Sequence, residues 1–197
     1  MAVIISEDPG FIFTHIPTTG GSSLTEAIGQ IKHLCKGLKI YSGHRYLRNL
    51  LGNRNPDDYL KFTIVRNPFD RFVSHWLIKR PDLTFQEFTD AVVDRQIPWL
   101  ALRAQSRWIS TIPRNGKSKL LIDLPLRYER YEDSITRTLS DLGLPQVNLP
   151  HLRKISREKD YRTYYTSPKQ VDKVAKLYEE DLENFNYSFL ENLGGVK

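Results

Sequence analysis

An α/β fold, with a central parallel sheet and helices on its faces, is what this sequence predicts, and three observations carry the prediction. Short apolar runs at Val3-Ile5, Phe11-Phe13, Phe62-Val65 and Leu120-Ile122 read as buried strands. Segments with helical spacing alternate with them, as strand–helix–strand units require. Two of the runs, those ending at Phe13 and Val65, lead directly into helix-start signals. With 197 residues, 40% of them hydrophobic, the chain is long enough for one well-cored domain and short for two, so residues 1–197 are read as a single domain.

The first unit is FIFTHIPTTGGSSL at 11–24. Its strand breaks into a turn with two adjacent glycines. Ser23-Leu24-Thr25-Glu26 then has the form of a capping box, opening a helix whose apolar positions are Leu24, Ala27, Ile28 and Ile31. Gly20 and Gly21 permit positive φ there, and the amides and dipole of a helix N-terminus suit an anion. The second unit is KFTIVRNPFDRFVSHW at 61–76. Asn67 caps a helix with Pro68 first and Asp70 third, and Phe69, Phe72, Val73 and Trp76 form its apolar stripe. Arg66 thereby stands at a strand's carboxyl end, where open α/β sheets bind ligands. Thr84-Phe85-Gln86-Glu87 opens a further helix, Tyr131 to Leu142 forms one stopped by Gly143 and Pro145, and Ser167-Pro168 begins a last one running to about Phe185.

The net charge of +6 favours an anionic ligand or a polyanion, and a solvated basic surface accounts for it equally well. No nucleic-acid motif or interleaved basic and aromatic stripe accompanies it, so nucleic acid is not expected as a partner. Cys35 is the one cysteine, which excludes an internal disulfide and a cysteine-built metal site; it reads as a buried, inert thiol. No metal ligands are assigned. No segment approaches the roughly 20 apolar residues of a membrane span, and MAVIISEDPG is no signal peptide, so the chain is expected to be soluble. The phosphate-loop pattern GxxxxGK is absent because Ser22 follows Gly20-Gly21, and GxGxxG is absent as well. The expected fold is thus three-layered and P-loop-like without an ordinary ATPase signature.

HIPTTGGSSL resembles the 5′-phosphosulfate loop HIPKTGGTSL of Golgi-type carbohydrate sulfotransferases and their bacterial relatives. VRNPFDRFVS resembles their 3′-phosphate motif R-x-P-x-x-R-x-x-S, and it follows in the right order. SGHRYL, LRAQSRWI and HLRKISREKDYRTYYT extend the likeness along most of the chain. HLRK, and the spacing from His44 to Arg66, are most similar to uronyl and heparan sulfate 2-O-sulfotransferases.

The resemblance implies a donor, 3′-phosphoadenosine 5′-phosphosulfate, a metal-free transfer and a hydroxyl acceptor, in the first place a glycan. It assigns the 5′-phosphosulfate to the backbone of Thr18, Thr19, Gly20, Gly21, Ser22 and Ser23 and to the hydroxyls of Thr19, Ser22 and Ser23. Arg66 and Ser74 serve the 3′-phosphate, and the segment from Ser156 to Arg162 closes over the 3′-phosphoadenosine. Arg153, Lys154 and Gln105 face the acceptor, with Arg107 beside Gln105, and His44 is the general base. Read from the residues alone, Arg66 has an alternative in an ion pair with Asp70, Ser74 in an ordinary exposed serine, and the 153–162 segment in a solvated basic loop. His15 reads as a structural residue before the loop, Trp108 as core, and Tyr178, Phe185, Tyr187 and Phe189 as packing.

Two positions depart from the pattern. Thr18 stands where the family usually has a lysine on the phosphosulfate, and Ser42 where related 2-O enzymes carry a second histidine. A nucleotide- or glycan-binding protein with little turnover is therefore a second reading. A P-loop kinase is a third, with Asp123 as its nearest magnesium-holding carboxylate. A bacterial chain of this kind is expected in the cytoplasm and a eukaryotic one in the Golgi lumen.

Overall fold

The computed structural model describes residues 2–43, 45–97, 99–112, 118–150, 152, 156–158 and 160–190. Five strands are β1 (Ala2–Glu7), β2 (Gly10–Thr14), β3 (Lys39–Ser42), β4 (Leu60–Val65) and β5 (Leu124–Arg127). The helices, in chain order, are α1 (Gly21–Gln30), α2 (Leu47–Leu51), α3 (Pro68–Lys79), α4 (Phe85–Val93), α5 (Tyr131–Asp141), α6 (Pro168–Leu177) and α7 (Glu179–Phe185). The chain divides into two compact units, Met1–Val65 with Gln105–Leu152, and Arg66–Ala104 with Arg153–Lys197.

The first unit holds the whole sheet, in the order β3-β1-β2-β4-β5. β2, β4 and β5 are parallel, the α/β arrangement expected, whereas β1 is antiparallel to both β2 and β3. The parallel centre is the one expected, and the antiparallel β1 and β3 extend it on one side. Only Asp8 and Pro9 separate β1 from β2, and a link that short cannot cross back over the sheet. Phe11, Phe13 and Phe62 cluster on one face of the central strands, Phe62 lying 5.8 and 5.3 Å from Phe11 and Phe13 between ring centroids, and α1 and α5 close over them through Leu24, Ile28, Ile135 and Leu139. Cys35 joins this core, and burial pushes its thiol pKa up.

The strand expected at Leu120-Ile122 lies farther along, at β5. Leu120 makes only an isolated bridge to Ser110. Asp123 sets the true start: its amide donates to Lys61 O at 2.8 Å, and its carboxylate accepts from Lys61 N at 2.8 Å and pairs with Lys61 Nζ at 2.7 Å. The carboxylate considered for magnesium is thus engaged with a lysine. Pro125, which lacks an amide donor, is tolerated because β5 is an edge strand.

The second unit is helical. α3 starts as the sequence predicts, with Asn67 Oδ1 accepting from Phe69 N at 3.0 Å and Pro68 first. α4 and α6 open with the capping boxes of Thr84 and Glu87 and of Ser167 and Gln170. Their core is aromatic: Phe72 lies 5.0 Å from Phe88 and 5.8 Å from Phe85, and Phe69 is 5.1 Å from Phe189. The last helix is not continuous to Phe185. It breaks at Tyr178, whose buried hydroxyl donates to Leu102 O at 2.8 Å, and that anchor pulls the backbone out of helical geometry (φ −120°, ψ 25°). Phe185 and Tyr187 are buried, as packing residues should be. Arg71, the second arginine of the R-x-P-x-x-R-x-x-S stretch, is wholly enclosed and donates through Nη2 to Ala101 O and Arg103 O at 2.6 and 3.1 Å. Burial lowers its pKa, and Tyr178 and Asp181 act in the opposite direction.

Candidate functional site

In the first unit, β2 hands over to His15, which is 3% exposed and stacked on Phe13. The turn that follows has Thr18 at φ 65° and Gly20 at φ 84°. Gly20 is the N-cap of α1 and supplies no side-chain cap, so the helix begins three residues before the start expected with Ser23 as its cap. The serine capping box does not form. Ser23 instead lies in the first turn, its amide donating to Gly20 O at 3.1 Å and its hydroxyl accepting from Leu152 N at 3.3 Å. Thr19 Oγ1 donates to Ile16 O at 2.9 Å, which closes the turn and commits that hydroxyl's proton. Among the described residues, the amides of Gly20, Gly21 and Ser22 have no acceptor, and neither does the half-buried Ser22 hydroxyl have a partner. The arrangement offers an anion backbone donors at a helix N-terminus, with Ser22 as the hydroxyl still uncommitted.

Side chains that sequence reasoning did not single out hold this turn. A Cβ at Gly20 would meet Tyr131 Cε2 at 2.8 Å and Tyr128 Cε2 at 3.0 Å. Tyr131 Oη donates to Gly20 O at 2.8 Å, and burial pushes its phenol pKa well above the usual range. Tyr131→Phe keeps the ring and removes the bond, so it is expected to cost about 1 kcal/mol in urea unfolding and to weaken anion binding only a few-fold. Unchanged stability would show that the Gly20 carbonyl does not depend on the tyrosine.

Three basic residues that follow α1 are engaged or exposed elsewhere in the first unit. Lys36 pairs with Asp8 at 3.3 Å, Arg45 lies over the Tyr41 ring at 5.2 Å, and Lys39 is exposed on β3. Gln105 and Trp108 are both buried, and Arg107 is exposed. His44, Arg153 and Lys154 lie outside the described residues; Gly43, just before His44, has φ 85°.

In the second unit, Arg66 is 7% exposed and its Nε donates to Asp70 Oδ2 at 2.7 Å. The ion pair left open by the sequence therefore forms. Asp70 Oδ1 accepts from Arg157 Nη2, so one carboxylate bridges two guanidinium groups. Ser74 is 1% exposed and not the surface serine of the alternative reading, and its hydroxyl has no partner among the described residues. Ser156 is exposed. Arg162 is held in a fork by Asp160, Nε at 2.8 Å from Oδ1 and Nη2 at 2.6 Å from Oδ2.

Among the described residues no helix is long and apolar enough to cross a membrane. The family model described as "Sulfotransferase family" matches residues 1–188. A protein of Archaeoglobus fulgidus described as uncharacterized is 29% identical over 105 residues, which span 51% of this chain and 81% of that protein. No solved structure matches. Strand–loop–helix units ending in an amide-rich turn and in a buried arginine, within a match that runs nearly the length of the chain, place it: the chain belongs to the sulfotransferase family.

Proposed function

We propose that this sulfotransferase takes 3′-phosphoadenosine 5′-phosphosulfate as donor and a carbohydrate hydroxyl as acceptor, with His44 as the general base. The observation that supports the reading most is the turn at Gly20, Gly21 and Ser22, whose amides at the α1 N-terminus have no acceptor among the described residues. The donor supplies an activated sulfuryl group. The turn amides and the Ser22 hydroxyl hold its 5′ end and the charge that grows on the departing phosphate oxygen. Arg66 and Ser74 are assigned to the 3′-phosphate, where a guanidinium and a buried hydroxyl with no partner among the described residues match phosphate oxygens. His44 takes the acceptor hydroxyl's proton as that oxygen bonds to sulfur. Arg153 and Lys154 supply positive charge suited to an acidic sugar.

Calorimetric titration with 3′-phosphoadenosine 5′-phosphate tests the donor, with Arg66→Ala as control. Micromolar binding lost in the control is expected, and no binding by the unaltered chain would overturn the reading. His44→Ala is expected to lower transfer on the order of 10²-fold while donor binding stays, and retained transfer would remove His44 from the base role. A binding protein with little turnover is the second reading, favoured by Thr18, which brings no charge to the turn. Catalytic release of radiolabelled sulfate onto a polysaccharide would exclude it.

A further inference from the structure

The amides of Gly21 and Ser22, which open α1 without an acceptor among the described residues, belong to two successive peptide groups. Gly20 O is the carbonyl of the first and Gly21 O that of the second. Both peptides are trans. In that form the carbonyl and the amide point in opposite directions, so a donor that grips the carbonyl also aims the N–H on the other side. Both carbonyls are gripped by side-chain hydroxyls. Tyr131 Oη donates to Gly20 O at 2.8 Å, and Thr25 Oγ1 donates to Gly21 O at 2.8 Å. The Ser23 amide adds a further donor to Gly20 O, at 3.1 Å.

A hydrogen bond on a carbonyl does more than orient it. It draws electron density toward the oxygen and strengthens the N–H of the same peptide as a donor, by about 10 to 30% per bond. The gain matters most where charge on the acceptor is growing. Tyr131 is held in place for this: its ring lies 5.8 Å from that of Tyr128, and both rings stand against Gly20, whose Cβ would meet them at 2.8 and 3.0 Å. Burial raises the pKa of its phenol, so the proton it donates is retained. Thr25 reaches back one turn from within α1, a kind of bond that adds nothing to the stability of a helix. Its hydroxyl acts on the Gly21 peptide while remaining dispensable to the fold.

Resting on the donor reading above, we propose that Tyr131 and Thr25 are positioning residues for sulfuryl transfer. Through Gly20 O and Gly21 O they aim and polarise the Gly21 and Ser22 amides toward the phosphate oxygen from which sulfur departs. The bond from sulfur to that oxygen breaks and its electron pair stays on the phosphate, while a new bond forms from sulfur to the acceptor oxygen, whose proton leaves to the base. The two amides meet the negative charge as it grows. Their polarisation therefore acts on the rate of transfer and much less on ground-state affinity for the nucleotide.

The test compares two quantities in the full chain: the rate of radiolabelled sulfate transfer from saturating 3′-phosphoadenosine 5′-phosphosulfate to a desulfated uronic-acid polysaccharide, and calorimetric affinity for 3′-phosphoadenosine 5′-phosphate. Tyr131→Phe is expected to lower the saturating rate about tenfold with only a few-fold loss of affinity. Thr25→Val keeps the branched shape and is expected to lower the rate several-fold at unchanged stability in urea, a split that a purely structural contact would not produce. Saturating rates unchanged in both variants, or lowered only in proportion to affinity, would make the two hydroxyls props of the turn and overturn the inference alone. If the unaltered chain bound no nucleotide, the donor reading itself would fall, and this inference with it. If it bound the nucleotide but transferred no sulfate, no charge would develop at the turn, and the inference would fall while nucleotide binding stood.

Discussion

Thr18→Lys is expected to raise the rate of sulfuryl transfer by on the order of 10² to 10³, the scale on which one charge-stabilising group at a reacting centre acts. Thr18 sits in the turn that carries the Gly20, Gly21 and Ser22 amides, at φ 65° and half-buried. Its hydroxyl brings no charge, and Lys36 and Arg45 are engaged with Asp8 and Tyr41. A lysine would place an ammonium on the phosphate oxygen from which sulfur departs, where charge builds most. The fold should accept the change. A left-handed backbone costs a β-branched residue about 1 to 2 kcal/mol, and lysine is unbranched at Cβ, so part of that strain is relieved. Single-turnover transfer of radiolabelled sulfate to a desulfated uronic-acid polysaccharide measures the effect. An unchanged rate, with unchanged affinity for 3′-phosphoadenosine 5′-phosphate, would mean that the charge already comes from elsewhere in the chain, with Lys154 the first residue to substitute.

What the sequence made legible was local. β2 and the start of α3 depend on runs of neighbours, and Asn67, Pro68, Thr84 and Ser167 act within three residues of themselves, so their caps were readable in advance. The turn was legible as a glycine-led helix start although the capping box was not: Gly20 already ends the loop, which brings Ser23 inside the helix. What escaped was long-range. Tyr131 reaches Gly20 across 111 positions, Arg157 reaches Asp70 across 87, and Lys61 reaches Asp123 across 62. No local pattern encodes such pairs. The same holds for the break at Tyr178, which answers to the Leu102 carbonyl 76 positions away and not to any breaker in its own segment. Burial of Ser74 has a related origin, since a serine between valine and histidine has no surface-or-core preference until its helix face is known.

Gly21→Ala is expected to weaken binding of 3′-phosphoadenosine 5′-phosphate about 10²-fold and to destabilise the chain by about 1 to 3 kcal/mol. The reason is the ring of His15. An ideal Cβ on Gly21 would stand 2.2 Å from His15 Cδ2, 2.6 Å from Cγ and 2.8 Å from Nε2, all inside van der Waals contact. The imidazole has little room to retreat, because it is buried and stacked against Phe13, 6.3 Å between ring centroids and 16° between planes. The first turn of α1 must give way instead. A shift of that order carries the Gly20, Gly21 and Ser22 amides off the anion, and such donors lose most of their value within about 1 Å. The mechanism has its own check, because the steric conflict needs both partners. His15→Ala with Gly21→Ala removes the ring that the new methyl meets, so the double variant should recover stability beyond the sum of the two single changes, read as a favourable coupling in a urea-unfolding cycle. Simple additivity would mean that Gly21 is required for its backbone freedom and not for the space under His15, and the loss of nucleotide binding would then persist in the double variant.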